Sequence, residues 1–206
     1  MVRRTKEDAL ATRASLLDAA EHLFQAKGVS RTSLNDIALA AGATRGAVYW
    51  HFRDKADLFH AMLERVILPL ENAFLEAGAR RDEDPLLLLR ESVMRALRQV
   101  AGDEQTCRVF EVATQKVEYV DEMGDVRTRH LNARQACLGQ MQRALRASAR
   151  WSGTSLSVPA ATAARGLHAL VDGLIQNWLL DAAAFDLVRV GEKTVDAYFA
   201  GLGLDG

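Results

Sequence analysis

Arg45, Gly46, Tyr49, Trp50 and His51 fall within one short stretch, TRGAVYWHFRDKADLF at 44–59, and together they carry the chemistry of a nucleic-acid reader. A guanidinium at the start of a helix can reach a guanine edge in the major groove, and a tyrosine can touch a phosphate or a thymine methyl. Gly46 lets the backbone come close. Val48 and Phe52, four residues apart, point to a small core, which leaves the neighbouring faces with Arg45, Gly46, Tyr49 and Trp50 for an outside partner. Lys55 follows in the first turn of the next helix and adds a positive charge to a helix N-terminus already suited to phosphate. Arg3, Arg4 and Lys6 form a basic arm ahead of the first helix.

These residues need elements to hold them, and the flanking sequence supplies the signals. Leu10, Ala14, Leu17, Ala20 and Phe24 recur at helical spacing and Gly28 follows Lys27, so a helix is expected over 8–27. In TSLNDIALAAG, Ser33 caps a second helix, Asp36 completes a capping box and Gly42 ends it after barely two turns. Thr44 caps a third helix to about His51. Two short helices joined by a glycine-containing turn match a helix-turn-helix, whose second helix enters the major groove. Asp54 then caps a fourth helix, with Asp57 at its N3 position. Pro69 lies inside its apolar pattern and is expected to kink or end it. Further helices are expected over 85–101, 104–115, 117–150, 159–182 and 192–202, with a loop at 150–159.

The 206 residues, 49% hydrophobic with 3 prolines, suffice for one ordinary core or two small ones. The fold class is all-α, about nine helices: an N-terminal three-helix domain over 1–55 and a larger helical domain over 56–206. Net charge is -1, but residues 1–56 hold nine Lys and Arg against six Asp and Glu, so the basic excess lies at the N-terminal end. Cys107 and Cys137 offer neither a disulfide framework nor metal spacing; each reads as a small hydrophobe, with a redox role as the alternative. No apolar run has the length of a membrane span and MVRRTKEDAL lacks a signal core, so a cytoplasmic, soluble protein with no membrane partner is expected. No cofactor, metal or catalytic motif is expected.

Residues 10–59, above all TSLNDIALAAGATRGAVYWHFRDKADLF, resemble the DNA-binding domain of the TetR family of transcriptional repressors. VSRTSLNDIA, TRGAVYWHF, KVEYVDEM and GLIQNWLLDAAAFDL are similar to the AcrR-like repressors of multidrug efflux operons. The resemblance implies a homodimer of all-α subunits that binds double-stranded operator DNA and is released by a hydrophobic or aromatic small-molecule inducer. Carried over position by position, it implies DNA contacts at Arg45, Gly46, Tyr49, Trp50, His51 and Lys55, with Thr32 and Ser33 at the first phosphate; Thr44, the helix cap, joins the same interface.

Candidates for the inducer pocket are Leu63, Val66 and Ile67 on the fourth helix, Val93, Met94 and Leu97 on the fifth, Phe110 and Thr114 on the sixth, and Asp172 and Gln176 on the eighth. Leu63 and Ile67 stand where related efflux repressors often place polar or aromatic residues. Leu167, Leu170, Leu174 and Trp178 form a helical stripe, core or subunit interface, and the interface fits a two-fold operator better. Trp50 reads equally as core filling, His51 as a packed or phosphate-facing histidine, and Asp172 as a solvated or interface carboxylate. The other functions open to such a chain are regulation of a metabolic operon, activation instead of repression, a helical enzyme that carries a helix-turn-helix, and architectural coating of DNA. Near-zero net charge speaks against the last.

Overall fold

In the computed structural model the described residues are 6–79, 82–117 and 124–204, described by backbone alone at 68–79, 124–126, 129 and 130. Arg3, Arg4, most of KVEYVDEM and the side chain of Pro69 therefore lie outside the described residues. Among those residues the chain forms nine α-helices, one π-helix and no strand. The helices are α1 Lys6–Lys27, α2 Leu34–Ala40, α3 Arg45–His51, α4 Lys55–Ala79, α5 Pro85–Gly102 and α6 Glu104–Glu111. A π-helix, Val112–Lys116, continues α6, and α7 Gly124–Trp151, α8 Ala160–Leu180 and α9 Leu187–Gly201 complete the chain.

Local chemistry sets the first four boundaries. Gly28 adopts φ 86, the left-handed turn that closes α1 and that a side chain would resist. The Ser33 hydroxyl accepts from the Asp36 amide at 3.1 Å while the Asp36 carboxylate accepts from the Ser33 amide at 2.9 Å, so both orphan donors are satisfied at the start of α2. At α4 the amide of Asp57 donates to Asp54 Oδ1 at 2.7 Å, and the Asp57 carboxylate accepts from the amide of Arg53, the residue before the cap, at 3.1 Å.

Four boundaries differ from expectation: Val117, expected to begin the helix over 117–150, is extended, and that helix is described from Gly124. α4 does not end at Pro69 but continues to Ala79. α6 ends at Glu111 and passes into the π-helix, whose wider turn no apolar spacing signals. α9 starts at Leu187, five residues early, because Asp186 caps it by accepting from the Arg189 amide at 3.0 Å.

The chain divides into two compact units, one of residues 1–66 with 108–130 and one of 67–107 with 131–206. In the first, Leu16, Leu17, Ala20, Phe24, Ile37, Val48, Phe52, Leu58, Phe59 and Met62 are buried, and the rings of Phe24 and Phe59 meet at 6.0 Å. Leu10 and Ala14, placed on the buried stripe of α1 by spacing, are exposed. In the second unit α5, α8 and α9 enclose Leu89, Met94, Leu97, Leu167, Val195 and Phe199. Gly191 on α9 is what allows close packing: a Cβ there would stand 2.3 Å from Leu97 Cδ1. Cys107 and Cys137 are half-buried, not core residues.

Candidate nucleic-acid interface

α3 is only two turns long, so its existence depends on its ends and its packed face. Thr44 Oγ1 accepts from the Ala47 amide at 3.2 Å, and Gly42 at φ 63 makes the turn from α2. Ala47 and Val48 are buried beneath it. The other side of the helix presents Thr44, Arg45, Gly46, Tyr49 and Trp50 as exposed residues, the face that spacing assigns to DNA.

Within that face, Arg45 Nη2 lies 3.3 Å from the Tyr49 hydroxyl and its Cζ 5.5 Å from the ring centroid. The bond to Tyr49 raises the guanidinium pKa above its ordinary value. Trp50 is 72% exposed, which rules out the core reading; its ring stands edge-on to His51 at 4.5 Å. A Cβ added at Gly46 would come no nearer to other groups than 3.8 Å, to Thr44 Oγ1. Among the described residues nothing requires a glycine there.

Two of the residues expected at phosphates have partners within the chain. Thr32 is only 1% exposed, and its hydroxyl donates to the Gly28 carbonyl at 2.8 Å, so its side chain braces the end of α1. Lys55 directs its ammonium at the carbonyls of Val29, Ser30 and Thr32, at 3.0, 3.2 and 3.2 Å. An ammonium has three donors, and all three are engaged in holding the loop between α1 and α2. Ser33 is exposed, with its hydroxyl shared between the Asp36 amide and carboxylate. That hydroxyl, and the backbone donor beside it, hold the Asp36 carboxyl below its ordinary pKa.

Sequence reasoning left out Asn35 and Leu39, four residues apart on α2 and both exposed, Leu39 at 79%. The signal was available, since Ile37 and Ala38 fill the buried side of so short a helix. Among the described residues no group of three or more His, Cys, Asp or Glu is placed to hold a metal. No described helix is long and apolar enough to cross a membrane.

Of the pocket candidates, Leu63, Val66, Val93, Met94 and Leu97 are buried, Ile67, Phe110, Thr114 and Asp172 half-buried, and Gln176 exposed. Asp172 accepts from Gln176 Nε2 at 2.7 Å, so the two polar candidates on α8 pair with each other. In the stripe on α8, Leu170, Leu174 and Trp178 are half-buried, whereas Leu167 is 0% exposed. Leu167 is therefore a core residue, enclosed by its own chain, and not an interface residue.

A capped two-turn helix with an open basic and aromatic face, packed on a second short helix across a glycine turn, defines a helix-turn-helix DNA-binding domain. Residues 16–62 match the family model described as bacterial regulatory proteins of the tetR family, and 84–203 match that of the C-terminal region of MAATS-type transcriptional repressors. The chain belongs to the TetR family of transcriptional regulators. It is 38% identical to the transcriptional regulator TtgR of Pseudomonas putida, over 95% of this chain and 93% of that one. NalD, the secondary repressor of the MexAB-OprM multidrug efflux pump in Pseudomonas aeruginosa, superposes with TM-score 0.87 at 37% identity, covering 95% of this chain and 98% of NalD. The complex of SmeT with triclosan, SmeT being the repressor of the Stenotrophomonas maltophilia efflux pump SmeDEF, matches with TM-score 0.83 at 33% identity over 92% and 90% of the two chains.

Proposed function

We propose that the protein is a dimeric, ligand-released repressor that binds a pseudo-palindromic operator and controls a multidrug efflux operon from the cytoplasm. Residues 1–55 read the DNA; residues 56–206 bind the inducer and the second subunit. The observation that carries this reading is the open face of α3, where Arg45 is stacked with Tyr49 beside an unhindered Gly46 and an exposed Trp50. Thr44 and His51 flank that face. The relatives NalD and SmeT, both repressors of efflux pumps and one of them bound to triclosan, support the choice of operon and of ligand class.

The protein works by binding, without turnover. Its inducer is a large apolar or aromatic molecule, with Phe110 against the ligand and Thr114 orienting it. Such a ligand must bind the DNA-free conformation better, and a hundredfold release requires about 2.7 kcal/mol of coupling.

The experiment is selection of an operator from random duplexes, followed by titration of the labelled complex with triclosan, hydrophobic drugs and phenolics. Sequence-specific binding with release by some of these compounds is expected, and Phe110→Ala should change the inducer response more than operator affinity. Failure to select any preferred sequence, or binding of several compounds without release of DNA, would overturn the reading.

A further inference from the structure

Glu21 lies on the apolar face of α1, between Leu17, Ala20 and Phe24, and is 1% exposed. A buried carboxylate is costly unless it is paired. Here its partners come from helices distant in sequence: Arg65 of α4 bonds one oxygen and also reaches Asp18 at 2.6 Å, while Arg108 Nε of α6 stands 3.8 Å from the other. Two further links continue from Arg108 along the same pair of segments. Gln25 Nε2 donates to Glu111 Oε2 at 2.6 Å, and the Val29 amide donates to the Lys116 carbonyl at 3.1 Å. Residues 21, 25 and 29, one turn apart along α1 and its end, thus meet 108, 111 and 116 of α6 and the π-helix.

The last link depends on the π-helix. Lys116 also pairs with Glu111 at 3.6 Å, five residues back, the spacing of a π turn. Tightening Val112–Lys116 to an α-helix would displace the end of the segment by about one residue, roughly 1.5 Å along the axis and about 100° around it. The Lys116 carbonyl would then leave Val29. Val29 opens the loop that Lys55 clasps and that leads directly to the Ser33 cap of α2, so a change of register at 112–116 acts on the helix-turn-helix. π-turns inside helices are rare and concentrate at functional sites.

We propose that this polar seam, Glu21–Arg108, Gln25–Glu111 and Val29–Lys116, couples the inducer to DNA, with the π-helix as its two-state element. The proposal rests on the ligand-released repressor reading, because Phe110 and Thr114 belong to the same segment and the inducer would act on it there. Glu21, Gln25, Arg108 and Glu111 are positioning residues: they touch neither DNA nor ligand. Coupling is reciprocal, so the operator must alter the seam just as the seam alters operator binding.

The test is hydrogen exchange of the 108–116 amides in the full chain, free and bound to an operator selected from random duplexes, for the wild type, Arg108→Gln and Gln25→Leu. In the wild type, operator binding should change exchange of these amides by about tenfold or more, and in either variant by less than about twofold. Triclosan, or whichever panel compound releases wild-type DNA, should bind both variants with unchanged affinity yet release DNA less well. Unchanged exchange in the wild type overturns the proposal, as does an equal change in the variants. Should no compound release wild-type DNA, the repressor reading fails while the exchange measurement still decides the seam. Melting curves establish that each variant is folded; Gln25→Leu, which removes no charge, serves if Arg108→Gln is not.

Discussion

Arg45 lies over the ring of Tyr49, one helical turn along α3, with its Nη2 3.3 Å from the tyrosine hydroxyl. Both groups are exposed, so the contact adds little to stability, but it holds two planar side chains in one orientation before DNA arrives. Less side-chain freedom is then lost on binding. Arg45→Ala should weaken binding to a selected operator by about ten- to a hundredfold and relax preference at one base position. Tyr49→Phe keeps the stacking and should cost only a few-fold. Affinity measured on a set of single-base operator variants checks both; equal affinity for Arg45→Ala and the wild type would remove Arg45 from the interface.

Gly46 separates stability from recognition. Because a Cβ there meets nothing closer than 3.8 Å, Gly46→Ala should leave the fold intact or stabilise it by about 0.5–1 kcal/mol, the ordinary gain of alanine in a helix. The same methyl should weaken operator binding if the backbone approaches DNA there. A raised Tm with undiminished affinity would show that DNA passes elsewhere.

For Lys55 the salt dependence distinguishes a clasp from a phosphate contact. Lys55→Met keeps the stem but loses three bonds to the carbonyls of Val29, Ser30 and Thr32, so folding stability should fall by about 1–3 kcal/mol. The slope of log affinity against log salt should stay as in the wild type. A slope smaller by about one unit per half-site would instead return Lys55 to the phosphate.

Dimerisation is expected to answer to the half-buried part of the α8 stripe, Leu170, Leu174 and Trp178. Leu174→Arg should shift the sedimentation equilibrium towards monomer and cost operator binding, whereas Leu167→Ala should lower the stability of the chain by about 2–5 kcal/mol through a cavity in its core. A wild-type monomer that binds operator tightly would refute the two-fold arrangement.

The capping box at Ser33 gives a pH signature. Asp36 is held below its ordinary pKa of 3.8, first by the Ser33 hydroxyl and then by the Ser33 amide. Its stabilising contribution is therefore fully present above that ordinary value and is lost as pH falls through the depressed one. Ser33→Ala should raise the Asp36 pKa towards 3.8, read by NMR titration of its carboxyl carbon, and lower Tm by a few degrees at neutral pH. An unmoved titration would place the cause of the shift outside the box.

How much of the fold and the interface was legible depends on the range of each interaction. The helix-turn-helix could be read directly, since Ser33–Asp36, Thr44–Ala47 and Asp54–Asp57 close within three residues and Gly28 and Gly42 mark their own turns. Spacing also separated Val48 and Phe52 from Arg45 and Tyr49, because a two-turn helix has one inner face. The sequence by itself thus determined which segment forms the DNA-reading element and which side chains that element can present. Only the tertiary structure decided what the charges do. Lys55 finds carbonyls up to 26 residues away, Glu21 finds Arg65 across 44, and Gln25 finds Glu111 across 86. It also decided that Trp50 is exposed, that Thr32 and Leu167 are enclosed, and that α6 ends in a π turn. Local preference operates within about one helical turn, whereas the partner of a buried or loop-holding charge is set by packing that brings remote segments together.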